Sequence, residues 1–312
     1  MKQRFQQIVI SSKATTPVFV ALVVSFWLFG VNTSWDMEGV CLLFGVASVY
    51  LLVELNNAFS LLGRRTNFHA VLFPLMWMSV PQGAHLAESA LLAFALLWTV
   101  YFLFRSYQAV VPVSRVFCLF LIISATSLLI PQVLWTAPFF YFFLMIFKAL
   151  EPRSFFAGII GLLFPYWLLF VYAFYEEDLE LFYTPLRVLA DYDGIGSGAL
   201  PIGGWVSLGF ISLLSGVGAV YATINGFHDK IRTRVFLRFF LWLQGMLLLL
   251  VLFQPSAFLY VSGVMSSVCC ILSVHLFTLA GGRLCNIFFM FSIVTLLILI
   301  VCNLWMPLYN SF

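Results

Sequence analysis

Val235–Phe253 reads VFLRFFLWLQGMLLLLVLF. Arg238 and Gln244 are its only strongly polar side chains, and Gly245 is its only glycine. The stretch shows neither the strict alternation of a half-buried strand nor the one-sided stripe of a surface helix. A helix that is apolar all round is either deeply buried or a membrane span. At 1.5 Å per residue it extends about 28 Å, close to the roughly 30 Å hydrocarbon thickness of a bilayer.

Similar stretches recur along the chain. The protein is 63% hydrophobic and only 9% charged, where soluble domains carry about 25% charged residues. A mean hydropathy of +1.07 fits a helical membrane protein, and the runs lack the alternation of barrel strands. The expected class is therefore all-α: one polytopic membrane domain over residues 1–312. Eleven spans are expected, at 17–33, 38–58, 69–81, 86–104, 115–130, 132–149, 155–175, 205–224, 235–253, 257–280 and 284–306. The third is short and carries Pro74 and Pro81, and Pro131 joins the fifth to the sixth with almost no loop. The first follows a basic, polar start without a small-x-small cleavage site before Trp35, so it is expected to be retained.

Charge sets the orientation. With the N-terminus inside, fourteen of the fifteen Lys and Arg residues fall on the cytoplasmic side, and nine of the twelve acids fall outside. That asymmetry is the positive-inside rule, and it gives an inside N-terminus and an outside C-terminus. The exception is Arg187. It lies in the longest polar interval, 176–204, EEDLELFYTPLRVLADYDGIGSGALPIGG, which holds six of the carboxylates. Within it, LFYTPLRVL is apolar enough for a helix lying on the membrane surface, with Pro185 starting or breaking it. The net charge of +3 comes from basic residues scattered at span ends, which excludes a nucleic-acid partner. The six cysteines all lie in or beside apolar segments and read as packing residues.

Polar side chains inside spans are costly and mark candidate sites. Glu54, with Asn56 and Asn57 beside it, is a candidate proton or cation site; its structural alternative is an interfacial carboxylate held by those amides or by Arg64 and Arg65. Gln244 and His275 read first as interhelical hydrogen-bond partners. One Glu, one Gln and one His do not by themselves make a proton relay. On the outer face, Asp36 and Glu38 share one short loop, and His85 and Glu88 stand at i, i+3. Such a cluster suits a general base or a divalent cation; a solvated acidic rim is the alternative. Arg187 is a candidate anion contact, or an ion-pair partner of Asp191 at i, i+4. Asp191-Tyr192-Asp193-Gly194 opens like a calcium loop, but its twelfth position is Ile202 rather than a bidentate Glu. The glycines of 194–204 follow no strand and do not form a dinucleotide fingerprint. No dedicated protein metal site and no resident cofactor are expected.

The stretches LLVELNNAFSLLGRRTNFHAVLFPLMWMSVPQG, ALLWTVYFLFRSY and ALEPRSFFAGIIGLLFPYWLLFVYAF cover most of residues 50–175. They resemble an uncharacterised family of polytopic inner-membrane proteins of Bacteroidota. The correspondence rests on Arg64 to Asn67, Pro74, Pro152 with Arg153, and Gly161 to Tyr166. It implies a bacterial inner-membrane location, with 176–204 as a periplasmic loop, and membrane lipids or other membrane proteins as partners. More distantly, the chain is similar to type-C glycosyltransferases, which use polyprenyl-phosphate sugars and carry a catalytic Asp in the first outer loop. Asp36 stands at that place. The resemblance implies Asp36 as the catalytic base; Glu38 beside it as a second catalytic carboxylate, and His85, Glu88 and Arg187 as substrate contacts, are expected from the outer-face cluster and the long loop. The first outer loop here is short, where theirs is long and bears surface helices. Three functions follow as expectations: lipid-linked sugar handling in the cell envelope, transport or flipping of a solute or lipid, and a non-catalytic membrane scaffold.

Overall fold

A computed structural model describes residues 35–61, 66–81, 86–190, 200–226 and 230–309, with side chains from 39 to 303 apart from Asn225. Among these residues the chain is helical, without strands. The helices are α1 Trp35–Phe59, α2 His69–Met78, α3 Leu86–Arg105, α4 Val113–Ser127, α5 Ala137–Ile146, α6 Pro152–Tyr175, α7 Glu180–Ala190, α8 Ile202–Asn225, α9 Ile231–Phe253, α10 Phe258–Leu279 and α11 Arg283–Tyr309. Short 3₁₀ turns at Pro131–Thr136 and Pro255–Ala257 lead into α5 and α10.

Seven helices are long and apolar enough to cross a membrane: α1, α3, α6, α8, α9, α10 and α11. This is a polytopic helical membrane protein in character. Three of the other expected spans form shorter apolar helices. The ten residues of α2 and of α5 reach about 15 Å each, half a hydrocarbon core. Pro131 is the local cause in the second case: it opens a 3₁₀ segment, which consumes residues expected in the sixth span. The span expected at 17–33 lies outside the described residues. The surface segment forms a helix, α7, and Pro185 sits inside it rather than at a boundary.

The chain divides into two compact units, one formed by Phe94–Asp193 and the other by the residues on either side of that interval. In the Phe94–Asp193 unit the closest pair is α4 with α6. α6 presents a buried stripe of small residues, Ser154, Ala157, Gly158, Gly161 and Pro165. Small residues let helix backbones approach closely, which is how helices associate where lipid supplies no hydrophobic drive between them. The Ser124 hydroxyl donates to the Leu162 carbonyl at 2.5 Å, and Ser127 Oγ lies 3.0 Å from the Tyr166 hydroxyl. The Phe120 and Tyr141 rings stack with centroids 4.1 Å apart. At the far end of α6, Glu177 turns with φ 56°, and the Asp178 amide donates back to the Ala173 carbonyl at 3.1 Å. Asp178 Oδ1 then accepts from the Glu180 amide at 3.0 Å, which caps the start of α7. The acidic residues at 176–180 thus make a helix-to-helix turn. Phe170 and Phe182 hold α7 to α6 through an edge-to-face contact at 5.5 Å.

In the other unit α10 is the axis. Its apolar window is 89% buried, against 22% for α11. It packs on α8, α2 and α9. Small residues permit this. A Cβ at Gly263 would stand 2.6 Å from the Ser89 carbonyl of α3, and one at Gly218 would stand 2.9 Å from the Leu272 carbonyl of α10.

Candidate functional site

Polar side chains inside this second unit fall into satisfied and unsatisfied sets. Two satisfied nodes pin helices together. Ser89 Oγ accepts from Trp77 Nε1 at 3.1 Å and from the Gly263 amide at 3.0 Å, and lies 3.1 Å from Ser262 Oγ. The Ser79 carbonyl, at the end of α2, accepts from Ser207 Oγ and from Asn303 Nδ2, each at 2.6 Å. These tie α2 to α3 and α10, and α2 to α8 and α11. Both read as structural.

The unsatisfied set is different. His69, Gln244 and Ser266 are buried, and neither nitrogen of His69, neither amide atom of Gln244, nor the Ser266 hydroxyl makes a hydrogen bond among the described residues. The Thr66 main chain lies near the His69 imidazole without hydrogen-bond geometry. A buried polar group left unpaired costs about 1–3 kcal/mol. Native structures rarely tolerate that without water, an ion or a functional reason.

The three groups come from three helices, α2, α9 and α10. The Cys270 thiol donates to the His69 carbonyl at 3.9 Å, which fixes the start of α2 against the middle of α10. Ser266 precedes Cys270 by four residues, so both lie on the α10 stripe turned toward α2. α9 and α10 form an antiparallel hairpin. Gln244 lies ten residues before Gln254, and Ser266 nine after Ala257, so at 1.5 Å per residue they stand at nearly the same height. The neighbouring face of α10 looks to α8: the Cys269 thiol donates to the Ile211 carbonyl at 3.4 Å, and the His275 and Tyr221 rings meet edge-on at 6.1 Å.

The residues singled out in the sequence are distributed unevenly. Asp36 and Glu38 lie in the first turn of α1, with side chains outside the described region, and His85 is outside it altogether. Glu88 is exposed in the first turn of α3. Arg187 is exposed in the last turn of α7; Asp191, its proposed ion-pair partner, lies outside the described residues. Glu54 is half-buried in α1, beside buried Asn56 and exposed Asn57. Among the described residues Gln244 makes none of the interhelical hydrogen bonds expected of it, and His275 contacts an aromatic ring. Sequence reasoning passed over His69, although a histidine heading an apolar run carries the same signal as His275. Among the described residues no group of three or more His, Cys, Asp or Glu side chains is placed to hold a metal ion.

No protein-family model, no curated protein and no solved structure matches the chain.

Proposed function

We propose that the protein is a multi-pass transporter of the bacterial inner membrane, coupled to proton movement through the buried polar groups of His69, Gln244 and Ser266. The observation that carries this reading is that all three are buried without a hydrogen-bond partner among the described residues, with His69 set against α10 one turn from Ser266 and Gln244 at about the height of Ser266. A titratable group inside a span is a functional candidate by default. His69 is the titratable member, and neutral imidazole can accept on one nitrogen while donating on the other. Gln244 and Ser266 supply fixed donors and acceptors for bridging waters. Glu54, half-buried in α1, is the entry group on the cytoplasmic side in the orientation given by the positive-inside rule. That orientation has eleven spans, an inside N-terminus and a periplasmic C-terminus. It counts α2, α4 and α5 as crossings although each is a shorter apolar helix; short, broken helices of this kind line polar interiors in transporters.

The test is proton flux into liposomes holding the purified protein and a trapped pH-sensitive dye, driven by a potassium diffusion potential. The wild type should acidify the lumen well above empty vesicles. His69→Ala should lower the flux at least about tenfold, the kinetic equivalent of 1.4 kcal/mol. Gln244→Leu should lower it less, and Glu54→Gln should slow entry. Wild-type flux equal to that of empty vesicles overturns the proposal.

The second reading is lipid-linked sugar chemistry at the outer face, with Asp36 as base, Glu38 beside it, and His85, Glu88 and Arg187 as substrate contacts. The amphipathic α7, packed on α6 and on the Pro131–Thr136 turn, favours it as a helix suited to lie on the membrane surface. If Asp36→Asn abolishes cellular function while proton flux is unchanged, this reading displaces the first.

A further inference from the structure

At the opposite end of the α8–α9 hairpin from Ile202 and Phe253 lies a cavity of about 70 Å³, well above the roughly 10–15 Å³ that admits a single water. Its walls divide by chemistry. Thr223 and Gly226 of α8, with Arg234 and Arg238 of α9, form one part. Leu237 and Leu241, one and two turns further along α9 from Arg234, form the other. The two arginines are at i, i+4 and face the same side of α9.

Arg234 is the central observation. Its stem lies over Gly226, where an added Cβ would meet Arg234 Cγ and Cδ at 3.7 and 3.8 Å. Its Nε is buried and makes no hydrogen bond among the described residues. Among the described residues no carboxylate lines the cavity. Arg232, two residues earlier, is engaged differently: its guanidinium stands over the Phe59 and Phe236 rings, at 5.5 and 5.3 Å. Two guanidinium groups, with no lining acid among the described residues, thus meet an apolar wall that runs into the span.

We infer that this cavity binds the phosphate of an anionic phospholipid, with Arg234 and Arg238 on the headgroup and Leu237 and Leu241 along the first part of an acyl chain. Basic pockets between spanning helices are suited to such headgroups, and the planar arginine fork matches phosphate oxygens. The apolar wall selects a lipid over a free anion, since a soluble phosphate gains nothing from Leu237 and Leu241. The inference stands apart from the proton-relay reading and uses none of its residues.

The test is native mass spectrometry of the delipidated full-length protein titrated with phosphatidylglycerol, phosphatidylcholine or inorganic phosphate. Phosphatidylglycerol should bind and the other two should not compete. Arg234→Gln and Arg238→Gln should each weaken binding about fivefold, the effect of one basic side chain near a lipid surface. Arg238→Lys should restore most of it, and Arg283→Gln, with Arg283 absent from this cavity, should leave it unchanged. Equal binding of phosphatidylcholine overturns the inference, as does displacement by millimolar phosphate. Asp229 lies outside the described residues. If it neutralises the arginines, both glutamine variants bind phosphatidylglycerol as the wild type does, and the inference fails.

Discussion

Gly161→Val drives α4 away from α6 and lowers the stability of the purified protein by at least about 1–3 kcal/mol, the usual cost of overpacking a close contact. The reason is the identity of the neighbours. A Cβ at position 161 would stand 2.7 Å from the Phe117 carbonyl oxygen and 3.2 Å from the Leu121 amide nitrogen. Both atoms belong to the α4 main chain, so no rotamer change relieves the clash. Gly158 is a milder case, because the atoms it would meet are the Tyr141 hydroxyl and the Phe120 ring edge. The Ser124–Leu162 and Ser127–Tyr166 hydrogen bonds would lengthen together as α4 moves. Thermal unfolding in detergent, followed by circular dichroism, measures the loss. Gly209→Ala is the control, since no atom lies within 4 Å of its added Cβ. Equal melting of Gly161→Val and the wild type would show that α4 and α6 are not in this contact.

Gly263→Val has a comparable effect in the other unit, for a related reason. Its Cβ would stand 2.6 Å from the Ser89 carbonyl oxygen, 2.8 Å from Ser89 Oγ and 3.2 Å from Ala93 Cβ. The same residue's amide donates to Ser89 Oγ, which also holds Trp77 and Ser262. One substitution therefore overpacks α3 against α10 and breaks a four-residue polar node. The loss should be about 1–3 kcal/mol from packing, with roughly 0.6 kcal/mol more for each interhelical hydrogen bond broken. A double-mutant cycle with Ser89→Ala separates the parts. Removing the hydroxyl relieves the Oγ clash and leaves the carbonyl clash, so the double variant should recover only a fraction of the loss. Full recovery would place the whole effect in the side chain and contradict the backbone contact.

The two glycines show where sequence reading stops. Gly161 was visible as part of a Gly-Leu-Leu-Phe-Pro-Tyr stretch, and Gly263 as one small residue among many in an apolar run. Neither run says which neighbour the glycine must admit. The candidate site has the same history. Gln244 and His275 stood out because a polar side chain inside a span is expensive. His69 did not, because it begins a segment too short to be read clearly as a span. Ser266 could not, because serine in an apolar helix usually bonds back to its own main chain, as Ser267 and Ser292 do here. It is set apart by the absence of such a bond among the described residues.

The sequence by itself determined the class: scarce charge and long apolar runs leave no alternative to a helical membrane protein. It also placed the helices, because polar punctuation, proline and paired basic residues mark their ends. The tertiary structure decided which helix is central, which apolar segments are too short to cross, and which polar groups meet. The physical reason is the solvent. In water, an apolar stripe marks the inward face of a helix. In a bilayer the outward face is apolar too, so α10 and α11 look alike as sequences. Only packing, through close contacts at Gly263 and Gly218 and the burial of α10 against α8, α2 and α9, tells the buried axis from the lipid-facing wall.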